Sequence, residues 1–453
     1  MFLSSFPKEY VGKEFEIDCV DIEIRGSEDF TPSIFKGSGI IRGDKNGRLR
    51  FKVYNQLQVD KKMFDYLKLL KESNDPNEKI CRLKILAYDG TEWSGGWTIP
   101  EVILYQSPYL KIEGELDQLT TRVTKLKGDT TRNTTELVFS EYPDLPFTGS
   151  IKVQRIRGDE VISTSYGKDH HEVKFEDTII LFRESFDKSR LHIEAGNTDG
   201  FTPPFVETWI MEALIFVTAR MLHPRMVIRH FEKDALVILK STPQNVLSGM
   251  LPPFSRTPET EDAFWHAFCA YLSKCKETQQ FELLELTRGF YELCLASKGT
   301  LQGFLISLSL YIEYCINLMF SSSKSGSKED NEYKMKVKNL IQYVDEWNLD
   351  DDIRNRAKGL LTMLNTPSLS KQMDILIEQK VITKTHKKVW QNARPYLAHG
   401  NIIDFTKEEE FWHIRNYLIS MVYRLMFKII GYRGIVTDYN GKEFNYCIYE
   451  WRE

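Results

Sequence analysis

Residues 1 to about 240 alternate apolar and polar positions, or gather β-branched and aromatic residues in short runs between glycine turns. Gly37-Ser38-Gly39-Ile40-Ile41-Arg42-Gly43 leads into Asp44-Lys45-Asn46-Gly47 and then Arg48-Leu49-Arg50-Phe51-Lys52-Val53-Tyr54. An Asn-Gly between two such runs predicts a hairpin, because only residues tolerant of positive φ match the twist of the flanking strands. Period-2 runs predict further strands over 80–88, 101–110, 149–155, 173–181, 190–195 and 235–239. A helix is expected near 205–222. A polar, turn-rich stretch over 127–135 suggests a break near 125–145, dividing the β-rich region into two smaller units.

Residues 241–261 hold four prolines and one glycine, which reads as a linker. Thr257-Pro258-Glu259 then has the order of a helix start: capping hydroxyl, proline at the first helical position, early acid. Helical periodicity follows over 262–275, 281–296, 301–320, 332–347, 352–364, 369–379, 384–399 and 408–430. Residues 434–453 return to strand around Tyr439-Asn440-Gly441-Lys442. The expected fold class is α+β and multidomain. A β-rich N-terminal region (1–245), sandwich-like or a curved sheet, is joined by a linker (246–260) to an all-α helical bundle (261–453) with a short terminal hairpin.

Composition narrows the function classes. A chain of 453 residues exceeds one hydrophobic core. With 42% hydrophobic and 27% charged residues it reads as globular throughout. Net charge is -4, so any nucleic-acid contact must come from a local basic patch. The seven cysteines form no Cys-x-x-Cys pair, which argues against a zinc site or disulfide framework and for a reducing, cytoplasmic setting. The start, MFLSSFPKEY, lacks the basic and apolar regions of a signal peptide. The apolar stretch 209–221 is too short to span a bilayer and carries Glu212 and Arg220, so it is read as a buried helix.

Two Arg-x4-His spacings occur, Arg225/His230 and Arg394/His399. The first lies in an apolar alternation that reads as a strand edge. The second lies on a helix that stops at Gly400. Five residues of helix turn through about 500°, leaving the two side chains about 140° apart, and Pro395 between them favours a kink that lets them converge. A histidine with a near-neutral pKa can take the proton of a ribose 2′-OH or give one to the leaving 5′-oxygen. A guanidinium can clamp the phosphate and stabilise its developing charge. That chemistry calls for no metal or other cofactor. Lys384, Lys387 and Lys388, interleaved with Trp390 and Tyr396, suggest a basic and stacking surface for RNA.

Leu397-Ala398-His399-Gly400-Asn401, just before the long final helix 408–430, resembles the signature of the HEPN superfamily of ribonucleases. Helix 301–320, with Glu313, looks like the first long helix of that bundle. The layout is similar to ApeA-like anti-phage defence proteins, which join a β-rich N-terminal domain to a C-terminal HEPN domain. The resemblance implies that Arg394 binds the scissile phosphate and His399 is the acid/base. It implies a homodimer whose two Arg/His pairs form one composite site, and abortive-infection cleavage of cellular RNA such as tRNA. An N-terminal sensor triggered by a phage protein, and no membrane association, belong to the same expectation. Pro395 stands where the family usually has a polar residue, which leaves either a degenerate site or support from Asn392 or Asn401. Glu313 is a candidate either to orient His399 across the bundle or to make a structural salt bridge. Two other readings differ in class: a non-catalytic HEPN scaffold that binds nucleotide or RNA, and a ligand-binding β-module with an aromatic groove in residues 30–110.

Overall fold

The computed structural model describes residues 10, 12, 14–26, 33–56, 61–104, 109–126, 133–157, 160–185, 188–197, 205–241, 250–255, 257–278, 283–322, 328–347, 350–363, 368–398, 408–440 and 446–452. The chain divides into two compact units. Met1–Ile215 with Arg220–Leu247 forms one, and Phe216–Ala219 with Ser248–Glu453 forms the other.

The first unit opens with β1 (Phe15–Gly26), β2 (Ser33–Gly43), β3 (Leu49–Gln56), α1 (Lys61–Glu72), α2 (Pro76–Lys79), β4 (Cys81–Ala87), β5 (Glu92–Thr98), β6 (Glu101–Leu104), β7 (Tyr109–Leu116) and β8 (Gln118–Thr124). It continues with β9 (Thr135–Phe139), β10 (Gly149–Arg157), β11 (Glu160–Phe175), β12 (Thr178–Glu184), β13 (Leu191–Asn197), α3 (Val206–Thr218), β14 (Met226–His230) and β15 (Asp234–Lys240). In place of a two-sheet sandwich, hydrogen bonds among the described residues join fifteen strands into one antiparallel sheet, ordered β10-β11-β12-β13-β9-β14-β15-β8-β5-β4-β1-β2-β3-β7-β6. The sheet continues past the turn-rich segment before β9, because β8 pairs with β15, β15 with β14 and β14 with β9.

β7 and β8 are one run of chain, interrupted only at Asp117. Its first half pairs with β3 and its second with β5 and β15. The order β3-β2-β1-β4-β5 therefore returns to the run it left, and this part of the sheet curls round its own core. Strict alternation supplies that core: in β4, Cys81, Leu83, Ile85 and Ala87 are buried and the residues between face outward. The curl requires close backbone approach at Gly39, where a Cβ would lie 2.0 Å from the Lys52 carbonyl oxygen.

Residues 173–181, expected as one strand, instead cross a hairpin. β11 ends at Phe175, Glu176 takes a φ of 51°, and β12 starts at Thr178. The sequence misleads here because the turn is made by Glu-Asp rather than by glycine or proline. The segment expected as a strand edge, β14, lies inside the sheet between β9 and β15.

The second unit holds α4 (Pro258–Thr278), α5 (Glu285–Ala296), α6 (Leu301–Ser322), α7 (Lys328–Glu346), α8 (Asp351–Met363), α9 (Leu369–Glu378), α10 (Lys384–Ala398), α11 (Glu408–Ile430), β16 (Gly434–Thr437) and β17 (Tyr446–Tyr449). α6 and α11 form its central pair. α5 and α9 pack on α6, α4 packs on α11, and α10 lies against both central helices. By length and composition α6 is apolar enough to cross a membrane. Here it is the helix on which its neighbours pack. Phe216 is fully buried in this unit, with its ring 5.0 Å from Tyr271 and 5.6 Å from Phe427. α11 ends where Gly431 adopts a φ of 77°, the left-handed conformation that closes helices.

Candidate functional site

Ser368 caps α9, its hydroxyl accepting from the Lys371 amide, and a short turn then starts α10. The buried side of α10 is set by His386, Trp390 and Ala393, spaced to fall on one face. Trp390 Nε1 donates to the Ser309 carbonyl of α6 at 3.4 Å. One turn further on, Arg394 reaches Glu313 of α6. Its Nε donates to one carboxylate oxygen and its Nη2 to the other at 3.3 Å. The Arg394 guanidinium also lies over the Trp390 ring, 5.8 Å from its centroid. The Arg394 side chain keeps 43% of its surface exposed, against 19% for Glu313. A two-pronged contact of this kind fixes the plane of a guanidinium as well as its position.

His399 and Asn401 lie outside the described residues, as does Gly400. The side chain of Tyr396 is outside them too. α10 is continuous through Pro395 to Ala398, so the kink expected from the proline does not interrupt the helix. Glu313, expected to orient His399, holds Arg394. Asn392 is exposed and stands two residues from Arg394, about 160° round the helix. It therefore faces away from the Arg394 guanidinium.

The expected RNA-binding lysines divide. Lys384 and Lys388 are exposed on α10, with Lys388 about 120° round the helix from Arg394. Lys387 is drawn back onto α9. Its Nζ donates to Asp374 Oδ1 at 2.7 Å and to the Ser370 carbonyl at 3.1 Å, leaving the side chain 15% exposed. Trp390, buried against α6, presents no face to a base. A cavity of about 550 Å³ elsewhere in this unit is lined by Leu286, Leu318, Phe320, Leu376 and Ile429, and not by Arg394 or Glu313.

The other Arg-x4-His pair diverges. Arg225 is fully buried and donates through Nη1 to the Gly47 and Lys240 carbonyls, each at 2.7 Å. It thereby ties the β2–β3 turn to β15. His230, on the opposite face of β14, bonds Glu136 of β9 through Nε2 at 2.7 Å. His192 of β13 meets the other oxygen of Glu136 at 2.7 Å. Register explains the meeting: His192 lies opposite Val138, two residues from Glu136 and so on the same face. Burial pushes the Glu136 carboxyl up, but the bonds from His192 and His230 outweigh it and hold the group well below the ordinary carboxylate range. Sequence reasoning missed this cluster. Its one signal was an acid inside the strand TELVF, where every residue is buried.

His386 is a second buried histidine. Its Nδ1 accepts from the Thr383 amide at 3.1 Å, and its Nε2 meets the Ser420 hydroxyl of α11 at 3.2 Å. Burial, with the nearby Arg424 charge, brings its pKa down to about 3. It joins α10 to α11 as a neutral group. Among the described residues no group of three or more histidine, cysteine or acidic side chains is arranged to hold a metal ion.

No family model, curated protein or solved structure matches this chain. The functional reading therefore rests on these residues and on the resemblance carried by the segment around Arg394.

Proposed function

We propose that the helical unit is a metal-independent endoribonuclease of the HEPN type, with Arg394 and His399 as its catalytic pair. Two copies bring their pairs together in one composite site. The β-rich unit acts as a sensor that releases the nuclease against cellular RNA, such as tRNA, during phage infection in the cytoplasm. The observation that carries this reading is Arg394 itself. A permanent positive charge stands near the end of α10, oriented by Glu313, still accessible, and five residues before the motif histidine. In the reaction the 2′-oxygen attacks phosphorus as His399 of one copy takes its proton, and the bond to the 5′-oxygen breaks as His399 of the second copy, in its imidazolium form, gives a proton to that oxygen. Arg394 holds the phosphate oxygens as their charge grows.

The test is expression of wild-type, Arg394→Ala and His399→Ala chains in a bacterial host, with and without phage, followed by sequencing of RNA ends. Discrete ends that need phage and both residues are expected. Identical ends from a well-folded His399→Ala chain would sink the catalytic assignment.

The same ion pair gives substance to a second reading, a HEPN scaffold that binds nucleotide or RNA without cleaving it. A guanidinium matched by a carboxylate is already neutralised, as a structural pair would be. Under that reading Glu313→Gln strengthens RNA binding and no variant produces new ends.

A further inference from the structure

We infer that the gap between β5 and β8 in the first unit is a strand-addition site, which takes an extended peptide segment of a partner protein with a basic side chain at one end. Among the described residues, β5 and β8 pair at Ser94–Thr120 and Gly95–Leu119, and past these positions toward Glu92 and Arg122 they part. β8 stays in the sheet through β15, whose pairing runs on to Thr124. The opening leaves a cavity of about 790 Å³, lined by Glu92, Trp93, Thr121, Arg122, Thr124 and Leu236 among others. Alternation sets Trp93 and Thr121 on the core face, and Glu92, Arg122 and Leu236 on the outer face. Residues of both faces of a sheet line one cavity only where neighbouring strands have separated.

The neighbouring ladders fix where the backbone groups at the gap point. The Lys125 amide donates to the Lys233 carbonyl at 3.1 Å, and the Ser241 amide to the Asp117 carbonyl at 2.8 Å. Odd-numbered residues of β8 therefore turn their amides and carbonyls to β15, and Arg122 and Thr124 turn theirs into the gap. On the other side, the Ala87 amide donates to the Thr91 carbonyl at 3.0 Å, which turns the backbone groups of Glu92 away from β4 and toward β8. The Glu92 carbonyl accepts from the Thr121 hydroxyl at 2.7 Å, where a closed ladder would offer it a backbone amide. The amides and carbonyls of Arg122 and Thr124 meet no strand among the described residues. Their spacing selects the ligand. Alternate residues of a strand edge repeat a donor and an acceptor about 6.8 Å apart, and an extended peptide carries the same repeat along its own edge. Such a segment engages both residues at once, with main-chain bonds for affinity and alternate side chains for specificity. Charge sets the second feature. Arg122 is already paired with Asp234 at 2.8 Å. Asp89 and Glu92 are exposed at the same cavity, and neither is in an ion pair with a described residue. A lysine or arginine of the added segment therefore falls beside Glu92.

A sensing role for this site rests on the reading of the β-rich unit given above; the binding itself does not, and it is tested without RNA. The probe is a fluorescein-labelled hexapeptide, Lys-Val-Thr-Val-Thr-Val, titrated into the full chain and followed by anisotropy, with hydrogen exchange read by mass spectrometry. In the free chain the Arg122 and Thr124 amides are expected to exchange fast, and bound peptide to slow them. The same peptide with alternate amides N-methylated is expected to bind at least ten-fold more weakly, the loss of one or two main-chain bonds. Thr124→Pro removes the amide that faces the gap and leaves the β15 ladder intact, so it should weaken binding as much with little change in the unfolding midpoint. Glu92→Lys, at an exposed position, should weaken binding of this peptide and strengthen binding of its counterpart headed by glutamate, which keeps the test open should the proline variant fail to fold. Absence of binding up to about 1 mM overturns the inference. So do equal binding of the N-methylated peptide, indifference to Glu92→Lys, or slow exchange of Arg122 and Thr124 in the free chain. Binding of the expected kind in a chain that cleaves no RNA upholds this site and counts against the nuclease reading alone.

Discussion

Arg394 and Glu313 make a pair whose worth to folding and to chemistry should separate. The guanidinium is nearly half exposed, so solvent screens the pair and its net contribution to stability is small, about 1 kcal/mol or less. Glu313→Gln is expected to shift the urea midpoint only slightly. If Glu313 fixes the guanidinium for a phosphate, RNA cleavage in the same variant falls about ten-fold or more; unchanged cleavage would remove Glu313 from the site. His386 behaves in the opposite way, mattering to folding alone. It is neutral when buried, with a pKa of about 3 against 6.5 in an open chain. The unfolded chain therefore takes up a proton as pH falls through about 6.5, and the folded chain does not until about 3. Stability contributed by this group is present above pH 6.5 and declines between 6.5 and 3, by on the order of 1 kcal/mol per pH unit. Urea unfolding at several pH values should show that slope in wild type and a flatter one in His386→Gln.

At the scale of elements, the first unit depends on strands that approach each other unusually closely and on the buried carboxylate of Glu136. Gly39→Ala would place a methyl carbon against the Lys52 carbonyl, so β2 and β3 must separate. A loss of about 2 kcal/mol or more is expected, read from the thermal unfolding midpoint. Glu136 ties β13, β9 and β14 through two imidazoles. Glu136→Ala leaves both rings without their acceptor in a buried setting, and about 3 kcal/mol or more should be lost. Since the Glu136 carboxyl is held below its ordinary range, its contribution is present above about pH 4.5 and is lost on acidification. Measured unfolding should therefore lose part of its acid sensitivity in Glu136→Gln.

For the molecule as a whole, the division into units does not follow the element order. α3 begins in the first unit, yet Phe216 in its last turn belongs to the second. There it meets Tyr271, Phe290, Tyr423 and Phe427, from α4, α5 and α11. Phe216→Ala is expected to destabilise the helical unit by about 3–5 kcal/mol through the cavity it leaves. Hydrogen exchange should show faster opening of α5 and α11, while the curled strands β1 to β5 keep their protection. Loss of protection confined to the strands would contradict the assignment of Phe216.

Much of the architecture is legible in the sequence alone. The limits of α11 and the start of α10 agree with the periodicity, because a 3.6-residue repeat is local information carried by each segment alone. The hairpin at Asn46-Gly47 was legible for the same reason, since turn chemistry acts over four residues. What the periodicity could not reveal was which distant positions meet. That Glu313 closes on Arg394, 81 positions away, depends on how α6 and α10 lie in the bundle. That Lys387 turns to Asp374, and so leaves the basic surface, depends on the packing of α9. The placement of His192 and His230 on one carboxylate follows from strand order, which alternation leaves open: any two strands with matching faces can pair. The sequence by itself determined the kind of each element and which side of it is apolar, since both follow from short-range backbone and side-chain preferences. Only the tertiary structure decided which charges are neutralised and which remain accessible, because that depends on groups brought together from distant parts of the chain.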